Sequence, residues 1–386
     1  MRQRCLAPLP RWKDDMKRLV VKIGSSTLTT EAGRFDHAFL EMLAAQVAQV
    51  RAAGWQVVIV SSGAIACGLE RLGMSGKRPD DMPTLQAAAS VGQGLFVSAY
   101  GDAFAKHDMA TSLVLLTRRD TADRTAYLHA RDTLERLLDL GVVPIVNEND
   151  TVSVEQIRFG DNDTLGALVA CLIGADLAII LSDVEGLYDA NPTQDPDAHL
   201  IKRVEGIGSD IISVAGDAGS PVGSGGMVTK VKAARVLGVA GIPLVVCSGR
   251  RENAIVDVAE GREVGTLFVA GEAAHEITPR KLWIALGDAA RGAIIVDDGA
   301  KRALEQRGSS LLVVGVAGVE GDFAEGDIVD IKDGSDYLFA RGRVAFSRDE
   351  AELALGRTRE ELSRNRLLAE MADKPLVHRD DLVIFE

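Results

Sequence analysis

Aromatic residues are scarce in this 386-residue chain: 3 Trp, 4 Tyr and 10 Phe make up 4% of it. Hydrophobic residues nevertheless reach 47%. The core therefore has to be built from Ala, Val, Leu and Ile, which suits buried parallel strands and the helices that cover them. Cysteine is sparse too. Cys5, Cys67, Cys171 and Cys247 are widely separated, with no CxxC pair and no Cys/His cluster. That spacing excludes a disulfide framework or a zinc site and reads as reduced thiols serving as small core residues of a cytoplasmic protein. No apolar run reaches the roughly 18 residues needed to span a bilayer, so no membrane association is expected. Positive charge is in deficit, with 43 Lys and Arg against 56 Asp and Glu and a net charge of −13. Such a balance makes sequence-independent nucleic-acid binding a poor default.

A chain of this length predicts two domains. Residues 1–17, MRQRCLAPLPRWKDDMK, hold two prolines and no long apolar stretch. They read as a disordered lead-in without a signal peptide, with Met16 as an alternative start. From Arg18 to about Val269, short β-branched runs alternate with Ala/Leu-rich helical stretches. The runs are RLVVKIG (18–24), QVVIV (56–60), SLVLL (112–116), VVPIV (142–146), DLAIILS (176–182) and IPLVVC (242–247), and HAFLEMLAAQVAQVRAAG (37–54) is helical. The alternation predicts an α/β domain over 18–275 with a mainly parallel sheet flanked by helices. Past Thr278-Pro279 the texture changes to closely spaced strands: LWIAL (282–286), AIIVD (293–297), LLVVGVAGV (311–319), DIVDIKD (327–333) and YLFARGRVAF (337–346). One helical piece, DDGAKRALEQRG (297–308), interrupts them. This predicts a small, mostly β barrel-like module over 279–360. A charged helical tail at 361–386 then packs on it and ends in the strand-like LVIFE.

Three segments place small residues and a possible anion partner where a predicted strand ends, the edge at which open α/β sheets bind ligands. VVKIGSSTLT (20–29) carries Lys22 inside an apolar strand, with Gly24, Ser25 and Ser26 at its mouth. A buried lysine is expensive without an anion to meet; the alternative is a lysine on an edge strand pointing to solvent. VIVSSGAIACG (58–68) sets Ser61-Ser62-Gly63 between a strand and an Ala-rich helix. It reads as a phosphate or carboxylate site at a helix N-terminus or as an ordinary serine N-cap. GSGGMVTK (223–230) precedes another helix, and is either a ligand loop or a plain surface loop. No GxxxxGK[ST] sequence and no GxGxxG at a strand-to-helix turn occurs, so neither a P-loop nor a dinucleotide fingerprint is present.

Acidic segments complete the set. VNENDTV (146–152) carries Glu148, Asn149 and Asp150, and FGDNDTLGALVA (159–170) puts Asp161, Asn162 and Asp163 at the start of an apolar helix. LSDVEGLYDANP (181–192) has Ser182 and Asp183 just after a strand, a loop suited to an adenine or ribose contact. None of the six histidines falls in these segments, which weakens any serine–histidine hydrolase reading. A kinase acting on a hydroxyl needs a positioned base. A carboxylate acceptor needs none, being ionised at neutral pH. Two lysines, glycine loops and no base point to phosphoryl transfer onto a carboxylate, with positioning and charge neutralisation doing most of the catalysis.

KIGSSTLT, SSGAIACG, VVPIVNENDTV, FGDNDTLGALVA, LSDVEGLYDANP and GSGGMVTK stand in the order found in the glutamate 5-kinases of the amino acid kinase superfamily. The C-terminal module resembles a PUA domain. The resemblance covers nearly the whole chain from Arg18. It implies the amino acid kinase fold and an ATP-dependent phosphorylation of the γ-carboxylate of L-glutamate, the first step of proline biosynthesis, with ATP as co-substrate and Mg²⁺ held mainly by its phosphates. It also implies Lys22, Lys230 and Asp163 as catalytic residues, Asp163 orienting the lysines. Ser62, Asp150 and Asn162 would bind glutamate. ATP would be bound by Lys22, Ser182, Asp183 and the loop Ser224, Gly225, Gly226, Met227, Val228, Thr229 and Lys230. Ser25 and Ser224 stand where many members have threonine, and both keep the hydroxyl. The same resemblance implies proline as a feedback inhibitor, a homo-oligomer (dimer or tetramer) and a glutamyl phosphate reductase downstream.

Two other readings compete. One is a related kinase for another acceptor such as acetylglutamate, aspartate or a nucleotide, against which NEND and GDND argue. The other is an RNA-binding regulatory protein built on the C-terminal module. Residues 279–360 hold 12 Lys and Arg against 15 Asp and Glu, a net charge of −3, whereas modules that dock on phosphate backbones are clearly basic. RNA is therefore not an expected partner.

Overall fold

The computed structural model describes residues 17–30, 34–74, 79–117, 124–152, 162–217, 226–270, 279–286, 290–366 and 368–385. The predicted lead-in, apart from Lys17, lies outside them, as do Asp161, Ser224 and Gly225. The chain divides into two compact units between Glu272 and Ala273.

The first unit contains strands β1 (Lys17–Ile23), β2 (Trp55–Ser61), β3 (Thr111–Leu116), β4 (Val143–Glu148), β5 (Leu177–Ser182), β6 (Arg203–Val204), β7 (Leu244–Ser248) and β8 (Thr266–Phe268). They form one sheet in the order β3-β4-β2-β1-β5-β7-β8-β6. Every described pairing is parallel except β7 with β8. The helices relevant to the site are α1 (Ser25–Leu28), α2 (His37–Ala52), α3 (Ala64–Arg71), α4 (Met82–Ala105), α5 (Arg124–Asp139), α6 (Asn162–Leu172), α7 (Ser209–Asp217), α8 (Met227–Val239) and α9 (Ala254–Ala259).

β1 runs through the middle of the sheet, and Lys22 is in register with Val60 on one side and Ile180 on the other. The edge-strand alternative for Lys22 therefore fails. Successive strand residues face opposite sides. Leu19, Val21 and Ile23 enter the core cluster that includes Leu40, Leu43 and Val47 of α2 and Phe96 of α4. Lys22 emerges on the other side, against α6, where a Cβ on Gly166 would lie 3.1 Å from Lys22 Cβ and 3.2 Å from its Cγ.

The few aromatics are concentrated where they matter. Phe96, Tyr100 and Phe104 follow one another at i, i+4 on α4, with ring centroids 4.9 and 5.9 Å apart, and all three are fully buried. The helix starts at Asp81, whose side chain accepts from Thr84 N, with Pro83 in its first turn, a favoured opening. Tyr100 reaches the end of β2 through a 2.8 Å hydrogen bond between its hydroxyl and Ser61 Oγ. α3 and α4 touch backbone to backbone: a Cβ on Gly68 would overlap the Ala88 carbonyl, and one on Gly92 the Ala64 carbonyl. This is the close approach that only glycine permits.

In the second unit β9 (Gly292–Val296), β10 (Val316–Gly321), β11 (Ile328–Lys332), β12 (Leu338–Val344) and β13 (Val377–Ile384) form a sheet in the order β10-β9-β11-β12-β13. Its core draws in Leu362, Leu368, Met371 and Leu376 from the charged tail. Three expectations need correction. LWIAL is not a strand but part of helix α10 (Pro279–Leu286); a five-residue apolar run carries no period of its own, and Pro279 suits the first turn of a helix. LLVVGVAGV begins as a 3₁₀ turn at Val313–Gly315, with the strand starting only at Val316. The predicted barrel is an open sheet among the described residues; β13 is met not by β10 but by the segment before it, through a bridge between Leu311 and Val377. Local spacing encodes hairpins, while closure depends on pairing the first strand with the last.

Gly92→Ala should force α3 and α4 apart, and overpacking of this kind costs about 1–3 kcal/mol. The expected outcome is a lower Tm by calorimetry, and a Tm equal to the wild type would contradict the packing.

Candidate active site

The strand ends converge on one side of the sheet. Lys22, second to last in β1, is buried at 7% exposure, and its Nζ lies 2.6 Å from Asp163 Oδ1. Lys230, in the first turns of α8, is equally buried, and its Nζ lies 3.3 Å from Asp163 Oδ2. Thr229 Oγ1 donates to the same oxygen at 2.6 Å. Asp163 itself is 1% exposed. It sits in the first turn of α6, where the helix dipole favours a negative charge.

Burial pushes the Asp163 carboxyl up, but the Lys22 and Lys230 ammoniums, together with hydrogen bonds from Lys22 and Thr229, override it and hold its pKa below the usual carboxylate range. A general base works with a pKa near the operating pH. Asp163 is thus an ionised orienter of two cations and a poor proton acceptor. The three charges sum to +1 in a buried setting, which leaves a net attraction for an anion. Beside them α8 opens at Gly226 with no side-chain cap; Thr229 N donates to Gly226 O at 3.2 Å, and the amides of Met227 and Val228 head the helix, where an anionic ligand is favoured.

Asn162, one residue before Asp163, faces a different neighbourhood. Its Nδ2 donates to Ser61 O at 2.9 Å, to Ser62 Oγ at 2.7 Å and to Asn147 Oδ1 at 3.3 Å. The serine N-cap alternative at Ser61-Ser62-Gly63 does not hold. The cap of α3 is Gly63, in a left-handed conformation and without a side-chain hydrogen bond, while Ser61 is tied to Tyr100 and Ser62 to Asn162. Asp150 lies half-buried in the turn after β4.

On the other side of β1, Ser182 ends β5 and its Oγ donates to Asp183 Oδ1 at 3.0 Å. Gly24 N donates to Leu181 O at 3.2 Å, so the Gly24-Ser25-Ser26 turn and the Ser182 turn are neighbours. Gly226, Val228 and Thr229 line the opening of α8, with Met227 buried beneath. Two residues went unnoticed in the sequence. Asn147 is buried in NEND, between Asn162 and Gln93, and its Nδ2 donates to Gln93 Oε1 at 3.0 Å. The period-2 pattern of β4 was available as a signal for Asn147; nothing in the Ala-rich α4 marked Gln93.

The sequence profile of the amino acid kinase family matches residues 17–248, and that of the PUA domain matches residues 292–364. The chain is 47% identical to a glutamate 5-kinase of Anaeromyxobacter dehalogenans, over 96% of this chain and 97% of that protein. It is 46% identical to a glutamate 5-kinase of Burkholderia ambifaria, over 96% and 98% respectively. The chain belongs to the glutamate 5-kinase family. Among solved structures, carbamate kinase from Giardia lamblia bound to AMP-PNP aligns with a TM-score of 0.50 over 67% of this chain and 99% of that one, at 19% identity. That likeness concerns the fold. The family resemblance drawn from the motifs therefore holds, and so does the mainly parallel α/β fold with a PUA domain after it. No helix among the described residues is long and apolar enough to cross a membrane.

In this member of the glutamate 5-kinase family, Asp163→Asn would leave two buried ammoniums without their carboxylate. Breaking a buried ion cluster in this way costs about 3–5 kcal/mol. The native carboxyl is lowered, so its contribution is fully present above the unfolded pKa of about 3.9 and is lost as pH falls through the folded value. Urea unfolding of wild type and variant should show a constant stability gap from neutral pH down to about 5 and a shrinking gap below about 4. A gap that persists undiminished into strong acid would contradict the assignment.

Proposed function

We propose that this chain transfers the γ-phosphoryl group of ATP to the γ-carboxylate of L-glutamate, forming L-glutamyl 5-phosphate and ADP, the first step of proline biosynthesis. The observation that carries the reading is the buried Lys22–Asp163–Lys230 cluster next to the uncapped start of α8. Its support is the family to which the chain belongs.

A γ-carboxylate oxygen attacks the γ-phosphorus, the bond from that phosphorus to the β–γ bridging oxygen breaks, and the electron pair leaves with ADP. No proton has to move, because the acceptor arrives ionised. Lys22 meets the equatorial oxygens of the transferring group and Lys230 the charge that grows on the bridging oxygen. Asp163 fixes both ammoniums in place. Asn162 and Ser62 hold the acceptor, Asp150 takes its α-ammonium, and the Ser182-Asp183 turn with Gly226 and the first turn of α8 holds the nucleotide. Asp163 is already committed to two lysines and Thr229, which suits a Mg²⁺ carried on the nucleotide phosphates, where it would neutralise charge and need few protein ligands. Proline shares the α-amino and α-carboxylate groups of glutamate, so inhibition by proline competitive with glutamate belongs to the same reading.

Lys230→Met should lower kcat by about 100-fold or more, with a smaller change in KM; an unchanged kcat would remove Lys230 from the mechanism. Hydroxylamine trapping across a panel of amino acids should yield hydroxamate with glutamate, and a different preferred acceptor would redirect the assignment. With the substrate carboxyl and Asp163 both ionised, the acid limb of kcat/KM should lie below about pH 5.5. A limb near 6 to 7 would instead indicate a general base.

A further inference from the structure

We propose that Gln93 determines acceptor specificity by donating its side-chain N–H groups to the α-carboxylate of glutamate. The inference rests on the reading of glutamate as acceptor. Its basis is a chain of amides whose orientations are fixed one by one. Asn162 Nδ2 faces the Ser61 carbonyl at 2.9 Å, which only a donor can do. Asn147 Oδ1 receives the Glu148 backbone N–H at 2.9 Å, so that atom is the oxygen and Asn147 presents its Nδ2 on the other side. Gln93 must answer that donor with Oε1, at 3.0 Å. This leaves Nε2, a pure donor, facing away from Asn147. It is buried and has no hydrogen-bond partner among the described residues. A buried donor without a partner is costly and calls for an explanation, and a bound acceptor group supplies one.

The position of Gln93 identifies that group. Its neighbour Gly92 packs on the carbonyl of Ala64, the first residue of α3, directly after Ser62-Gly63. Gln93 is therefore at the end of β2 and β4, in the acceptor half of the site. Along the hydrogen-bonded chain Asn162–Asn147–Gln93 it is the last member, two hydrogen bonds removed from the residue that adjoins Asp163, where the phosphoryl group is transferred. The end of glutamate remote from the reacting carboxylate bears an ammonium and a carboxylate. A donor repels the first and binds the second, while the ammonium is left to the acids that follow β4. A neutral amide suits this task better than an arginine would, since it adds no charge next to the Lys22–Lys230 pair.

The test separates this role from a merely structural one. Gln93→Glu is isosteric and keeps an oxygen for Asn147, but it replaces the free donor with a negative oxygen. The variant should raise KM for glutamate by about 100-fold, through lost hydrogen bonding and like-charge repulsion. Gln93→Leu should raise it by about tenfold. In both, KM for ATP stays at the wild-type value. 4-Aminobutyrate keeps the γ-carboxylate and amine of glutamate but lacks the α-carboxylate. Its kcat/KM, or its inhibition constant against glutamate where turnover is undetectable, should change by less than about threefold in either variant. Thermal midpoints confirm folding. A wild-type KM for glutamate in Gln93→Glu, or equal losses for glutamate and 4-aminobutyrate, would overturn the proposal and leave Gln93 as a prop for Asn147. Absence of glutamyl hydroxamate from the wild-type enzyme would instead refute the glutamate reading itself.

Discussion

A lysine in the middle of a parallel sheet is the constraint around which the first unit is arranged. Lys22 sits between β2 and β5 with no route to water along the sheet, so its charge has to be met within the protein. Asp163 meets it, and a second lysine from α8 meets Asp163. At an effective dielectric constant of about 20, each contact is worth on the order of 5 kcal/mol. Removing three ions from water costs several kcal/mol apiece. The two are comparable, so the cluster is a weak source of stability. What survives the cancellation is a net charge of +1 held in a fixed place, next to the start of α8, which no side chain caps.

That arrangement governs its surroundings. Lys22 rises along α6 in close contact with Gly166, where a Cβ would press on the lysine stem, and α6 presents Asp163 to the lysines from its first turn. Consecutive helical residues diverge by about 100°, so Asn162, one position earlier, looks toward β2 and β4 instead. Two adjacent side chains thus divide the site. In the proposed reading, Asp163 organises the end where charge is transferred. Asn162 begins a line of amides through Asn147 to Gln93 at the end suited to the acceptor. The glycine contact between α3 and α4 and the Tyr100–Ser61 hydrogen bond fix α4 on that side, which is how a helix without any motif contributes to the site.

Much of this was legible in the sequence because the signals are local. Lys22 was conspicuous as a charge in an apolar strand, and each strand run was bounded by glycine or a helical stretch. The small residues at strand ends announced the ligand edge. Strand order in the first unit and its one described antiparallel strand pair, β7 with β8, depend on contacts between distant segments and leave no periodicity behind. The same limit explains the open sheet of the second unit, where hairpins could be read but closure could not. LWIAL failed for a different reason: five apolar residues fit a strand or one face of a helix, and Pro279 was the cue that decided it. Gln93 was invisible because its meaning comes from two backbone groups, the Ser61 carbonyl and the Glu148 N–H, that orient the amides between them.

The choice of a carboxylate as acceptor follows from the same lysines that open the structural problem. By lowering the pKa of Asp163, they deprive the site of a buried acid that could otherwise remove a proton. For a hydroxyl acceptor this would be a defect, since the nucleophile would have to lose its proton to a group that refuses it. For a carboxylate it is no defect at all: the acceptor brings its own charge, and the difficulty shifts to holding two anions, substrate and nucleotide, at bonding distance. A fixed positive cluster answers that difficulty directly. The chemistry of the acceptor can therefore be argued from Lys22, Asp163 and Lys230, whereas its identity as glutamate is a matter for the other end of the site, where Asn162, Asn147, Asp150 and Gln93 lie.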